Sequence, residues 1–439
     1  MMPLKVVVIF LNVIICFYYI LTEQVDHTGL VPIFNEKNGF KGNIYASDKT
    51  IEITKELLKD CCFIHKKNVD YLKSKGKKKD LLYTEVDLYN CFEHMKYIDI
   101  NRIIDIDSNL KVEYRNNSHV VGSCNLTLWV KEYQNSRWKK ICYTSDLGSK
   151  INFKYTPYLK EQDLPLSGNV LISEATYSDN DRAMTTKMAE KDRKEMLEII
   201  KEGLMNNRRI LLPVFAFSKA QTMITFLYDN LSKEQWFRDG EYEIIMDGVL
   251  MNNINGAYSR ILDKEDRNKF NEVMNWDRLV KVKDYARTLE ILSERKPCVI
   301  LASSGFLENG KITTYLPYIV GCSKDVVVIN GYCSQDNVGS IAYKLLNENQ
   351  KTITFNIDGE KRVVLKRAKI YQQKSWSSHI SNSELKDLFA NVNYDMIICH
   401  HMDEKNKEKF LNECKEYLRE RNKTTKIIAT GKGSYEFII

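Results

Sequence analysis

The chain is 439 residues long, with 65 Lys+Arg against 58 Asp+Glu, a net charge of +7 and an apolar fraction of 44%. That length suits two domains or one domain carrying a large insert, and that composition excludes a disordered tail and a polytopic membrane protein. Mild basicity permits a polyanionic partner without demanding one. Eleven cysteines, an odd count with no CxxC pair, argue against a disulfide framework and for a reducing compartment.

The run Val6–Leu21, VVVIFLNVIICFYYIL, is apolar apart from Asn12. It falls short of the roughly 20 residues that span a bilayer, and no small-residue cleavage site follows it. Its Val, Ile, Phe and Tyr content favours a pair of buried strands over an anchor. Asp26-His27 then opens VDHTGLVPIF, Ile51–Cys61 carries apolar residues at helical spacing, and KSKGKKKD at Lys73–Asp80 reads as a solvated loop. His119 stands in SHVVGS. Segments 120–133 and 139–148 read as hairpin strands around Asn135-Ser136, with Asp146 in YTSDLG at the end of the second. NVLISEATY, Asn169–Tyr177, is a buried strand that ends in polar residues.

The middle of the chain changes character. KMAEKDRKEMLEIIKEGLMNN is an amphipathic helix, RRILLPVFAF a buried strand and KAQTMITFLYDNL a second helix. EYEIIMDG, KPCVILASSG and KDVVVINGY continue the alternation, the grammar of an α/β segment with a parallel sheet. NIDGEKRVVLKRAKIYQQ reads as a hairpin with an Asp-Gly turn. DMIICHH is a strand, EKFLNECKEYLRER a helix, and KIIATGKGSYEFII closes the chain with strands. Hairpins at both ends around an α/β middle point to an inserted domain.

Asp26-His27, His119, Asp146, His379 and His400 sit at strand ends. Each alone is a commonplace core or surface residue. Hydrolytic zinc chemistry needs His and carboxylate ligands converging from several strand ends, with a position left for water, and these residues meet that need.

In their order and context they resemble the metallo-β-lactamase fold, in its β-CASP branch of RNA-processing metallo-nucleases. That branch includes ribonuclease J and the pre-mRNA 3′-end cleavage endonuclease. VDHTGLVPIF looks like the end of the H-x-H-x-D-H motif, SHVVGS and SDLG like the following His and Asp motifs, and EATYSD, SWSSH and IICHH like motifs A, B and C. PVFAFSKAQ and VILASSGFLENG look like signatures of the inserted domain. The resemblance implies an α/β protein: an αββα sandwich, N-terminally truncated, with an inserted α/β β-CASP domain. Residues 1–178 and 377–439 would form the first domain and 179–376 the insert.

The resemblance also implies roles. Asp146 would bridge two metals, with Asp26, His27 and His400 completing one site and His119 belonging to the other. His379 would be the general acid, oriented by Glu174, and Asp26 a base toward the attacking water. Ser304 and Lys219 would contact substrate, Lys219 standing where the family has Arg. Thr22 and Gln24 stand where two leading histidines are expected, so the first site keeps only His119 and Asp146. His401 replaces a usual Gly and is expected as a neighbour at the rim, with rescue of the metal site as the alternative.

One bound Zn2+ is therefore expected, or two if the missing ligands are compensated, with Mn2+ as the alternative ion. The expected function is metal-dependent hydrolysis of RNA, single-stranded, by a cytoplasmic protein with no membrane contact. The alternative is an inactive RNA-binding or partner subunit, or a truncated gene product, and a homodimer is left open. A hydrolase of small molecules is disfavoured, because such members lack the insert.

Overall fold

The computed structural model of the chain describes residues 7–9, 12–15, 18–21, 28–33, 40–131, 135–153, 155–179, 184–330, 340–357 and 360–431. Two compact units emerge, one made of Met1–Phe153, Tyr158–Ala183 and Ser378–Ile439, the other of Lys154–Pro157 and Met184–Ser377. Among the described residues, no helix is long and apolar enough to cross a membrane.

The first unit opens with strands β1 (Val7–Ile9), β2 (Asn12–Ile15) and β3 (Tyr18–Leu21), which pair antiparallel in sequence. The apolar N-terminal run thus forms three strands where a pair was expected. β4 (Asn43–Ala46) joins β3 in parallel, and β5 (Met95–Tyr97) joins β4, completing a five-stranded sheet. Between them lie α1 (Asp48–Ser74), capped by the Ser47 hydroxyl, and α2 (Glu85–His94), opened by a Thr84–Asp87 capping box. α1 runs well past the apolar spacing of 51–61, so Lys73 and Ser74 belong to its last turn and the lysine-rich loop begins after them. Along β4, Ile44 and Ala46 pack with Ile51, Leu58, Leu88 and Cys91 of the helices. Tyr45, on the opposite face by strand alternation, packs toward a second sheet.

That second sheet contains β6 (Ile104–Asp107), β7 (Leu110–Asn116), β8 (Cys124–Val130), β9 (Lys139–Tyr143) and β10 (Ser167–Glu174), with the short helix α3 (Lys150–Phe153) after β9. β6 to β9 form an antiparallel meander, and β10 then pairs with β9 in parallel.

The chain next builds the second unit as repeated strand–helix crossovers. In order these are α4 (Thr186–Met205), β11 (Arg209–Pro213), α5 (Lys219–Leu231), α6 (Gln235–Asp239), β12 (Glu243–Asp247), α7 (Val249–Ile261) and α8 (Lys264–Met274). β13 (Leu279–Val282), α9 (Tyr285–Glu294), β14 (Cys298–Ala302), α10 (Ile312–Val320), β15 (Val326–Asn330) and α11 (Ile341–Leu346) follow. β16 (Thr352–Ile357) and β17 (Glu360–Leu365) make a separate antiparallel hairpin, and β18 (Lys369–Gln373) ends the unit. The six-stranded sheet, β13-β12-β14-β11-β15-β18, is parallel throughout. Its central strands RILLP and CVILA are buried at every residue, as strands covered on both faces must be. The sequence KIYQQ, expected to extend the hairpin, instead pairs in parallel with β15 at the sheet edge.

Returning to the first unit, α12 (Asn382–Asn391), β19 (Asn393–His400), α13 (Lys407–Arg419) and β20 (Lys426–Ala429) complete the second sheet, ordered β20-β19-β10-β9-β8-β7-β6. One sheet face packs Cys142, Leu171 and Ile397 against Phe389 of α12 and Phe410 of α13. The other packs Tyr114, Leu126, Ile141 and Ile398 toward the first sheet, where the Tyr114 hydroxyl donates to the Tyr45 carbonyl at 3.0 Å. The layers read helix, sheet, sheet, helix, an αββα sandwich. The second unit is an α/β insert between β10 and α12.

Candidate metal centre

β7, β9, β10 and β19 all run in one direction, because β8 is antiparallel to both β7 and β9. Their carboxyl ends therefore open on one edge of the sheet. His119 lies in the loop after β7 and Asp146 in the loop after β9, while Glu174 is the last residue of β10 and His400 the last of β19. Glu174 and His400 are in register as a parallel pair, and Ala175 N donates to the His400 carbonyl at 2.8 Å.

Backbone clasps hold these loops together. Gly148 N donates to the Asn117 carbonyl at 2.9 Å, and the Asn117 amide donates to the Thr144 carbonyl at 3.2 Å. The returning segment crosses the same loop, Ser149 N donating to Ser378 and Ile380 N to Leu147, at 3.1 and 2.8 Å. Gly148 is required by close approach: a Cβ there would lie 2.0 Å from the Ser118 carbonyl oxygen. Ser118 and Ser145, each just before a site residue, adopt left-handed φ of 61° and 54°. Gly148→Ala is expected to cost about 1–3 kcal/mol or more in urea unfolding. It should also weaken zinc binding, measured calorimetrically, because the loops that carry His119 and Asp146 must separate.

The side chains converge within this frame. Asp146, 3% exposed, has His119 Nε2 at 4.0 Å from its Oδ2 and His401 Nδ1 at 3.3 Å from its Oδ1. His379 Nδ1 lies 3.2 and 3.1 Å from the two oxygens of the fully buried Glu174. Glu174 is held in turn, accepting from Leu147 N and, at 3.3 Å, from Thr176 N. The rings of His119 and His379 are 4.6 Å apart, and Tyr177 flanks His379 at 5.7 Å. The hydrogen bond to Asp146 raises the pKa of His401 above its usual value, against an opposing contribution from burial.

Donor atoms of His119, Asp146 and His379 lie within 4.8 Å of one another, as do those of Asp146, Glu174 and His401. Imidazole and carboxylate donors around a buried aspartate fit a zinc-class ion. Glu174 is already engaged by two backbone amides and His379, which suits an orienting part better than a ligand.

Among the described residues, His400, Lys219 and Ser304 stand outside both donor clusters. Asp26, His27, Thr22 and Gln24 lie outside the described residues. His400 stacks on Tyr143 at 5.5 Å and joins neither donor cluster among the described residues. Lys219 and Ser304 belong to the insert. The Lys219 ammonium donates to the Trp376 carbonyl; burial, then the nearby Arg193 charge, lower its pKa to about 7. Ser304 shapes the turn after β14, its N–H donating to the Asn309 carbonyl at 2.9 Å. His401, expected at the rim with rescue of the metal site as the alternative, is partly exposed and reaches Asp146 and, at 3.0 Å, the Thr176 hydroxyl. Its one sequence signal is a second histidine at a strand end.

Residues 220–341 match the Beta-Casp domain family. Over 371 residues the chain is 26% identical to the transcription termination factor FttA of Methanocaldococcus jannaschii, covering 82% of this chain and 54% of that protein. Over 384 residues it is 23% identical to the endoribonuclease YSH1 of Saccharomyces cerevisiae, covering 86% and 46%. The chain spans about half the length of the curated relatives it matches. The crystal structure of a protein of unknown function from Enterococcus faecalis V583 is similar at a TM-score of 0.50 and 11% identity, over 96% of this chain and 80% of that one. That likeness concerns fold alone.

Proposed function

The chain belongs to the β-CASP branch of the metallo-β-lactamase fold, and on that premise we propose that it hydrolyses phosphodiester bonds of RNA with a bound metal ion. The observation that carries this reading is the convergence of His119, Asp146, Glu174 and His379 on one sheet edge. RNA is the proposed substrate because one relative is an endoribonuclease, and single-stranded RNA because its backbone is open to in-line attack.

His119 and Asp146 would hold the ion, and Asp26, His27 and His400 would join them on the strength of the sequence resemblance. The ion, when bound, supplies an activated water and neutralises charge on the phosphate. Zinc is the proposed ion and manganese the alternative, since both accept imidazole and carboxylate donors. His379 presents Nδ1 to Glu174, which leaves Nε2 to hand a proton to the departing ribose oxygen as its bond to phosphorus breaks. Glu174 fixes the ring and complements its charge when both nitrogens are protonated. Eleven cysteines without a disulfide pattern suit a cytoplasmic site of action.

Metal-stripped protein should leave a fluorescent single-stranded RNA intact and cut it after Zn2+ or Mn2+ is restored. RNA that survives with the ion demonstrably bound would overturn the hydrolase reading. A gel shift on the same RNA would then support a binding subunit instead.

A further inference from the structure

We propose that His401 is a metal ligand of this chain, adding a ring nitrogen to the centre built on Asp146. The inference deepens the reading above, on which it rests for metal dependence. Three observations carry it.

The first is the bite. Zinc bonds of about 2.0–2.1 Å to nitrogen and oxygen, at a tetrahedral angle, place the two donor atoms about 3.3 Å apart. His401 Nδ1 and Asp146 Oδ1 are separated by 3.3 Å. A hydrogen bond alone would favour a shorter contact, near 2.9 Å.

The second is the division of the carboxylate. His119 approaches Oδ2 of Asp146 and His401 approaches Oδ1, so a buried aspartate carries an imidazole on each oxygen. Glu174 completes that donor cluster, but its oxygens already accept from Leu147, Thr176 and His379. His401 is thus the side chain of the cluster that can add coordination to Asp146. The Thr176 hydroxyl, now 3.0 Å from the same nitrogen, would give up that contact to the ion.

The third is the backbone. His401 has φ +55°, a left-handed conformation that glycine adopts at far lower cost than a residue with a Cβ. The turn after β19 therefore carries an imidazole where chain geometry favours none, and aims it at the aspartate. His401 thereby adds an imidazole donor on the Oδ1 side of Asp146, while His119 stands on the Oδ2 side in the other donor cluster.

The test is a calorimetric zinc titration of metal-stripped protein, repeated on His401→Gly, His401→Asn and, as a distant control, His94→Gln. His401→Gly relieves the left-handed backbone, so its thermal midpoint should not fall. Asn tolerates that conformation and keeps a hydrogen bond to Asp146, yet is a poor zinc donor. Both His401 variants are expected to weaken zinc binding by more than the roughly 10–100-fold that losing a group behind a ligand costs, or to lose an equivalent of zinc. His94→Gln should titrate like the parent. Unchanged affinity and stoichiometry in His401→Gly would overturn the proposal, and so would full recovery in His401→Asn, which would make His401 a hydrogen-bond partner only. Zinc binding that depends on His401 in a chain that leaves RNA intact would sustain this proposal and remove the hydrolase reading.

Discussion

Asp146→Asn is expected to abolish RNA cleavage and zinc binding together while leaving the fold in place. The substitution keeps the side chain's shape and removes the charge on which His119 and His401 both converge. The loop does not depend on that carboxylate for its course, because Gly148–Asn117, Ser149–Ser378 and Ile380–Leu147 are backbone contacts. Zinc affinity should fall by more than about 100-fold, beyond the range seen when only an outer partner of a ligand is lost. Thermal unfolding gives an independent reading. An ion that binds only the folded state stabilises by about 2.7 kcal/mol at a hundredfold excess over Kd. The parent protein should therefore gain thermal midpoint with added zinc and Asp146→Asn should gain none. A zinc-induced gain that survives the substitution would place the ion elsewhere.

His379→Ala should leave zinc affinity unchanged and lower kcat by about 10²–10⁴-fold, the range for removing a general acid. The separation of effects follows from geometry: His379 reaches Glu174 through Nδ1, and Glu174 is occupied by backbone amides. Glu174→Gln keeps the volume of the buried side chain but offers an amide where the imidazole and two backbone groups present N–H donors. It should cost kcat about 10–100-fold, leave KM nearly unchanged and alter the alkaline limb of the pH–rate profile. A substitution acting through loss of folding would lower active protein without changing the shape of that profile. An RNA with a better leaving group at the scissile position should recover much of the His379→Ala loss, since a proton donor matters least where the departing oxygen is already weakly basic.

The parts legible in the sequence are those where local pattern and final environment coincide. RILLP and CVILA are apolar throughout because both faces of their strands are covered, and they pair in parallel. Glu174 stands out as a carboxylate at the end of a buried run, and it lies within hydrogen-bonding distance of His379 about 200 residues away. Elsewhere the pattern fades or misleads. α1 continues to Ser74 because its second half is mostly exposed, and an exposed helix shows no apolar stripe. KIYQQ follows a hairpin and looks like its third strand, but strand partners are chosen by long-range pairing that no local window contains. His401 is hidden for a similar reason. Its contact with Asp146 depends on one left-handed residue and on two strands meeting in register, neither of which leaves a trace in residue spacing.

β10 is held between β9 and β19, and the insert separates it from the second of these neighbours. This imposes an order on the birth of the protein. β19 is synthesised about 220 residues after β10 ends, and until it emerges from the ribosome β10 presents an unpaired edge carrying Val170 and Leu171. His379 is equally late. A nascent chain halted anywhere within the insert carries three of the four converging residues, lacks His379, the proposed proton donor, and has an open strand ready to recruit another chain. On the proposed function, the hydrolytic site thus stays incomplete until β19 arrives, and an interrupted copy is a hazard for aggregation rather than for RNA.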